Sequence, residues 1–269
     1  MSEHGRGGTV EATVSDARSG VRYVDASYDF GHHGAREERA APAVPALGVT
    51  GRVIVTGASG GLGQAVMARL GDRALAVSHR DDSMGLANPD LDLLAKIPEG
   101  HEIDAIIHCA WPSSDNTRLT QLTESGPAVE HHVARPLRQA INLSRLLLKR
   151  GTPGAMLLLV GSTFAAPGRH AYRMPLYSLG KSLLPPLTRA LAVELGGAGK
   201  RFITATFDVI DGGMKGRLSA QGRRGHADRV PSGKLPGVSD AAGQLLWILE
   251  NGGSLVSGAT LTLSGGALP

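Results

Sequence analysis

The stretch Val53-Ile54-Val55-Thr56-Gly57-Ala58-Ser59-Gly60-Gly61-Leu62-Gly63 decides how the rest of the chain is read. A β-branched run meets a cluster of glycines, and Leu62, Ala65, Val66 and Leu70 then recur at helical spacing. The order is strand, tight turn, helix. Glycine lets backbone approach a ligand closely, and the first N–H groups of a helix have no partner inside it. A pyrophosphate fits such a corner. Many strand-to-helix turns carry a glycine for steric reasons alone, so the weight of this one comes from the pattern downstream of it.

Beyond the turn the chain alternates regularly. Apolar runs predict strands at 52–56, 74–79, 103–109, 155–161, 201–208 and near 259–264. Amphipathic runs predict helices at 62–71, near 89–96, and at 128–150, 176–196 and 239–249. Nearly continuous apolar strands between such helices imply an α/β fold, a doubly wound parallel sheet of Rossmann type with helices on both faces. Ligands of these sheets sit at the carboxyl ends of the strands. Pro185-Pro186 falls inside the helix expected over 176–196, where an interior proline costs about 3 kcal/mol and predicts a kink.

A chain of 269 residues, 42% hydrophobic, is long enough for one large α/β domain, expected over 51–269, with an extension before it. Residues 1–50 do not share the alternation. Short strand-like pieces lie among Gly, Ser and charged residues, and Ala40-Ala41-Pro42-Ala43-Val44-Pro45 resembles a linker. They are expected to form an arm, partly extended or disordered, with no assigned function. His32-His33 lacks the further ligands a metal needs, so no metal site is expected. The formal charge of +4 is dispersed, which argues against a nucleic-acid partner. A single cysteine excludes an internal disulfide framework and suits a reducing cytoplasm. Met1–Gly5 has no signal-peptide core and no run reaches membrane-spanning length, so a cytoplasmic protein without a membrane partner is expected.

The chemistry centres on Tyr177-Ser178-Leu179-Gly180-Lys181. Residues four apart share one face of a helix. A phenol titrates near 10, and a neighbouring ammonium favours its phenolate. A tyrosine that exchanges a proton with a carbonyl oxygen therefore benefits from a lysine at this spacing. Ser162-Thr163 comes just after the strand 155–161, where a hydroxyl can hold that oxygen.

These residues, taken with Thr56-Gly57-x-x-x-Gly61-x-Gly63 and the closing Leu261-Thr262-Leu263-Ser264-Gly265-Gly266, resemble the short-chain dehydrogenase/reductase family over about 51–269. The resemblance implies cofactor binding by Gly57, Ser59, Gly61, Leu62, Gly63 and Ala110, with Tyr177 as general acid/base. Lys181 would bind the nicotinamide ribose and lower the tyrosine pKa, and Ser162 would orient the substrate carbonyl. The interval from Ser162 to Tyr177 is slightly long for the family, so Thr163 is an alternative. His108-Cys109-Ala110-Trp111 stands where the family has Asn-Asn-Ala-Gly, so the wall there is bulkier. Cys109 is either a reactive thiol or a small filler. His132 aligns with the family's relay Asn, either relaying protons or lying half-exposed. Val209-Ile210-Asp211-Gly212-Gly213-Met214 replaces the usual Pro-Gly turn.

Ser78-His79-Arg80 ends the second strand without a carboxylate. Arg80 suits a 2′-phosphate, so NADP(H) is expected over NAD(H). Gly60 stands where NADP-preferring relatives often carry a basic residue, so the choice rests on Arg80. The segment 215–234 carries Lys215, Arg217, Arg223, Arg224, Arg229 and Lys234 against Asp228 alone. It is either a solvated loop or the binding surface for an anionic or carrier-bound substrate, such as a 3-oxoacyl or polyketide intermediate. The expected activity is reduction of a small-molecule ketone, or oxidation of the alcohol, by a homodimer or homotetramer. Two rivals stand beside it: a non-redox enzyme of the same fold (isomerase, cyclase or dehydratase), and a non-catalytic dinucleotide-binding partner protein.

Overall fold

The computed structural model describes residues 53–77, 100–113, 117–166, 174–214, 216 and 218–267. The N-terminal extension with His32-His33, the helix expected near 89–96, Arg80 and the end of the strand expected over 74–79 lie outside the described residues.

Six strands form one sheet: β1 (Val53–Thr56), β2 (Ala74–Val77), β3 (Ile103–His108), β4 (Gly151–Ser162), β5 (Arg201–Phe207) and β6 (Thr260–Leu263). Their order is β2-β1-β3-β4-β5-β6, and every pairing is parallel. The helices are α1 (Gly61–Leu70), α2 (Ser125–Val129), α3 (Arg135–Arg150), α4 (Pro175–Ser182), α5 (Leu184–Leu195), α6 (Ala220–Ala227) and α7 (Val238–Asn251). A π-helical turn, Glu130–Ala134, joins α2 to α3.

Strand alternation divides the core into two faces. Val53, Val55, Ala105, Ile107, Met156 and Leu158 pack with Val66 and Leu70 of α1 and with Ala242 and Leu245 of α7. Ile54, Ile106, Leu157 and Leu159 face the other way, onto Leu143 and Leu147 of α3 and Leu184 and Leu191 of α5. Both faces are covered, which is the doubly wound arrangement expected from the apolar strands. The chain leaves β1 for β2 on one side and returns to β3 on the other. The crevice of such a sheet opens where the order reverses, at the carboxyl ends of β1 and β3.

Three elements differ from expectation. β4 begins at Gly151, not 155. Gly151-Thr152-Pro153-Gly154 has no apolar signal; Lys200 Nζ donates to the carbonyls of Gly151 (2.6 Å) and Thr152 (2.9 Å), and Arg201 Nε to that of Gly154 (2.7 Å). Distant side chains therefore hold it in the sheet. The helix expected over 176–196 is two helices meeting at Leu183, so Pro185 and Pro186 fall in the first turn of α5. The N–H groups of a first turn have no intrahelical acceptor, so the interior-proline cost does not arise there. The basic segment, expected as irregular, contains α6, capped by the Ser219 hydroxyl accepting from Gly222 N at 3.1 Å.

Candidate active site

The glycine-rich turn is built by close backbone approach. Gly57 has φ +71°, and a Cβ there would stand 2.6 Å from Ala110 N across the β1–β3 crevice. A Cβ on Gly63 would stand 2.2 Å from Gly57 O. Both glycines are thus required by the turn itself. Gly61 differs: its Cβ would stand 1.9 Å from the carbonyl oxygen of Gly212, in the turn after β5. The wall of this corner is therefore supplied by a segment far along the chain. Ser59 lies in the turn, and its carbonyl accepts from Gln64 Nε2 (3.2 Å). Leu62 lies in the first turn of α1 and packs on the core.

That distant wall is anchored by Asp211. Its backbone N–H donates to Pro236 O (3.0 Å) and its carbonyl accepts from Val238 N (3.1 Å). Its carboxylate accepts from Leu218 N (2.8 Å) and lies 3.8 Å from Arg223. Arg223 also donates to Leu218 O (2.7 Å), so this arginine is tied into its own segment. Nothing local in the sequence marks Asp211 as a post; its partners all lie at least seven residues away.

The polar residues of the opposite wall converge at the end of β4. Ser162 accepts from Phe164 N (3.3 Å), which leaves its hydroxyl proton for the Tyr177 phenol, its hydrogen-bond partner. Thr163 is turned away: its hydroxyl donates to Asp208 (3.1 Å). The geometry therefore favours Ser162 over Thr163 as the hydroxyl beside the phenol. Burial pushes the Tyr177 pKa up, and the Ser162 bond pulls it part of the way back. The Lys181 Nζ stands 5.9 Å from the centroid of the phenol ring.

Lys181 is itself buried, at 3% exposure. Nζ donates to Val160 O (2.5 Å) and lies 4.0 Å from the centroid of the Trp111 ring. Burial brings its pKa down to about 7. Next to it, His108 Nδ1 is 2.7 Å from Thr56 Oγ1, while Nε2 is buried with no hydrogen-bond partner. Burial, and then the Lys181 charge, lower His108 to about 3, so it is neutral. Burial raises Cys109 to about 12. That thiol stays protonated, which makes it a filler and not a nucleophile. His132 is buried in the π-helical turn, and its carbonyl crowds Gly180, where a Cβ would stand 2.4 Å away.

Comparison with known proteins agrees with this geometry. No protein-family model matches the chain. An L-xylulose reductase of Bos taurus is 25% identical over 244 residues, covering 81% of this chain and 96% of its own. A D-erythrulose reductase of Gallus gallus is 26% identical over 238 residues, covering 81% and 95%. Over about four-fifths of its length the chain is similar to members of the short-chain dehydrogenase/reductase family. Among solved structures of this fold, a 3-ketoacyl-(acyl-carrier-protein) reductase from Brucella melitensis complexed with NADH superposes with a TM-score of 0.65 at 20% identity, covering 81% of this chain and 99% of that one. Members of the family bind a nicotinamide dinucleotide, and the residues here fit such a group. Helix α1 starts directly after the glycine turn. Lys181, with three N–H donors, has one hydrogen-bond acceptor among the described residues, leaving donors for ribose hydroxyls. No helix among the described residues is long and apolar enough to cross a membrane.

Proposed function

We propose that the protein is an NADP(H)-dependent reductase of a small ketone, acting in reverse as an alcohol dehydrogenase. The observation that carries the reading is the meeting of Ser162, Tyr177 and Lys181 at the carboxyl edge of the sheet, beside the corner formed by Gly57, Gly61 and Gly63. When bound, the nicotinamide supplies or accepts the hydride.

The chain's own residues handle the oxygen and its proton. When the substrate enters, the Ser162 hydroxyl proton turns from the Tyr177 phenol to the carbonyl oxygen, while Ser162 goes on accepting from Phe164 N. Tyr177 gives that oxygen its proton, and its raised pKa keeps the phenol protonated until charge develops beside it. Lys181 holds ribose hydroxyls with its remaining donors. Gly57, Ser59, Gly61, Leu62, Gly63 and Ala110 form the surface for the dinucleotide, and Arg80 selects the 2′-phosphate. Loss of NADPH absorbance over a panel of ketones tests the activity. The Tyr177→Phe variant is expected to bind cofactor and lose turnover; full turnover by it would refute the role. Equal use of NADPH and NADH by wild type, or an unchanged preference in Arg80→Ala, would remove the cofactor assignment.

The substrate is proposed to extend toward a shallow, open depression at the ends of β5 and β6, lined by Asp208, His226, Arg229, Leu235, Leu263 and Ser264. Arg229 and His226 favour an anionic or carrier-bound chain over a neutral sugar. Arg223 is tied to Asp211 and Leu218, so Arg229 replaces it as the residue to test. Arg229→Glu is expected to raise KM for a carboxylated or carrier-linked ketone and leave a neutral one unchanged. Equal KM values for both would leave the neutral polyol class. Assembly as a homodimer or homotetramer is proposed from the family resemblance, to be checked by light scattering.

A further inference from the structure

We propose that Trp111 is a positioning residue of the active site: the face of its indole pins the Lys181 ammonium against the Val160 carbonyl. The kinetic part of this inference rests on the reductase reading above; the structural part does not.

Buried charges are ordinarily paired with an opposite charge. Lys181 is 3% exposed, yet no carboxylate pairs with it among the described residues. The titratable groups around it are His108 and Cys109 at the end of β3, Tyr177 on its own helix, and His132 in the π-helical turn packed against α4. His108 is neutral and Cys109 is a protonated thiol. The electron-rich partners left are the Val160 carbonyl at 2.5 Å and the Trp111 ring at 4.0 Å. An aromatic face attracts a cation through its quadrupole, and the attraction is strongest where water is excluded.

The backbone around the pair leaves little freedom. A Cβ at Gly180 would stand 2.4 Å from the His132 carbonyl and 3.0 Å from Trp111 Cζ2. Helix α4 therefore lies directly on the indole. The indole Nε1–H is buried without a hydrogen-bond partner, so no hydrogen bond at that atom accounts for how the ring is held. Trp111 also packs against the core face of α3 and α5, so a purely structural role must be separated from a positioning one.

The chain has two tryptophans, and Trp247 is 59% exposed on α7, away from the site. In a Trp247→Phe background the emission of Trp111 is followed against pH, with no cofactor or substrate. We expect a transition with its midpoint well below the ordinary lysine value, absent in Lys181→Met and in Lys181→Gln. A transition that survives in both lysine variants belongs to a group other than Lys181. An emission profile that is flat in the parent, or the same in the lysine variants, overturns the proposal.

The kinetic arm compares Trp111→Phe, which keeps an aromatic face, with Trp111→Leu, which keeps only apolar bulk. Phe is expected to retain the pH profile of kcat/KM. Leu is expected to move its lysine-dependent limb down by about one pH unit and to lower kcat about ten-fold. Equal profiles for Phe and Leu mean that Trp111 only fills space, and overturn the proposal. The emission transition needs no turnover. Its presence in a protein without reductase activity would leave the indole–ammonium contact standing and remove the reductase reading alone.

Discussion

Three alanine substitutions within four residues separate what the glycine turn needs for itself from what it needs for its distant wall. At Gly60 the backbone is already extended, with φ −80°, and a Cβ would stand 3.3 Å from Gly57 O. Gly60→Ala should cost about 1 kcal/mol or less, the difference between glycine and alanine at an N-cap. At Gly63 a Cβ would meet Gly57 O at 2.2 Å, inside the turn's own backbone, which cannot give without losing the turn. Gly63→Ala should therefore prevent stable folding or cost more than about 3 kcal/mol.

Gly61 lies between these cases. Its Cβ would stand 1.9 Å from the Gly212 oxygen, and an ordinary carbon–oxygen contact needs about 3.3 Å, so the wall must retreat by about 1.4 Å. The wall is held at Asp211 by backbone bonds to Pro236 and Val238 and by the Leu218 N–H on its carboxylate. Moving it strains or breaks contacts of about 1 kcal/mol each, so Gly61→Ala should cost about 1–3 kcal/mol. Unlike Gly63→Ala it should still fold. Its further signature is weaker dinucleotide binding, by about ten-fold, because the displaced turn borders the corner. Urea denaturation and a fluorescence titration with NADPH measure the two effects. Wild-type affinity in Gly61→Ala, or a loss of affinity equal to that in Gly60→Ala, would show that the Gly212 carbonyl does not shape this corner.

His108, held near 3 by burial, refuses a proton that the unfolded chain takes up at the ordinary value of 6.5. Its contribution to stability is thus complete above pH 6.5 and falls by about 1.4 kcal/mol per pH unit as pH drops toward 3; His108→Asn should flatten that limb in urea melts, and an unchanged slope would refute the assignment. Lys181 works in the opposite window: its folded value of about 7 lies below the ordinary 10.5, so stability rises with pH between these limits, and Lys181→Met should lose that rise. Thr163→Val removes the donor to Asp208 and should cost about 1–3 kcal/mol while leaving kcat near wild type; a collapse of kcat comparable with that of Ser162→Ala would return Thr163 to the catalytic group. Pro185→Ala and Pro186→Ala should each change stability by about 1 kcal/mol or less, whereas an increase near 3 kcal/mol would mean that the prolines strain a helix interior after all.

The sequence by itself determined the sheet and the position of its chemistry. Apolar runs such as Ile103–His108 and Ala155–Ser162 are buried on both faces, so their character reads directly as parallel strands. The Tyr177–Lys181 spacing is local to one helix, and so it too was legible. Tertiary structure alone decided the features that depend on residues far apart. Thr163 and Ser162 are neighbours with the same chemistry, and only Asp208 on one side and Tyr177 on the other assign their hydroxyls. The first residues of β4 are ordered by Lys200 and Arg201, some fifty positions later. The Tyr177–Lys181 spacing does not encode the burial that raises the Tyr177 phenol, nor the Ser162 bond that lowers it part of the way. The glycine stretch shows both limits. Gly57 and Gly63 are dictated by their own turn, while the reason for Gly61 is a carbonyl at residue 212. Periodicity records which face of an element is buried, but not which distant atom it is buried against.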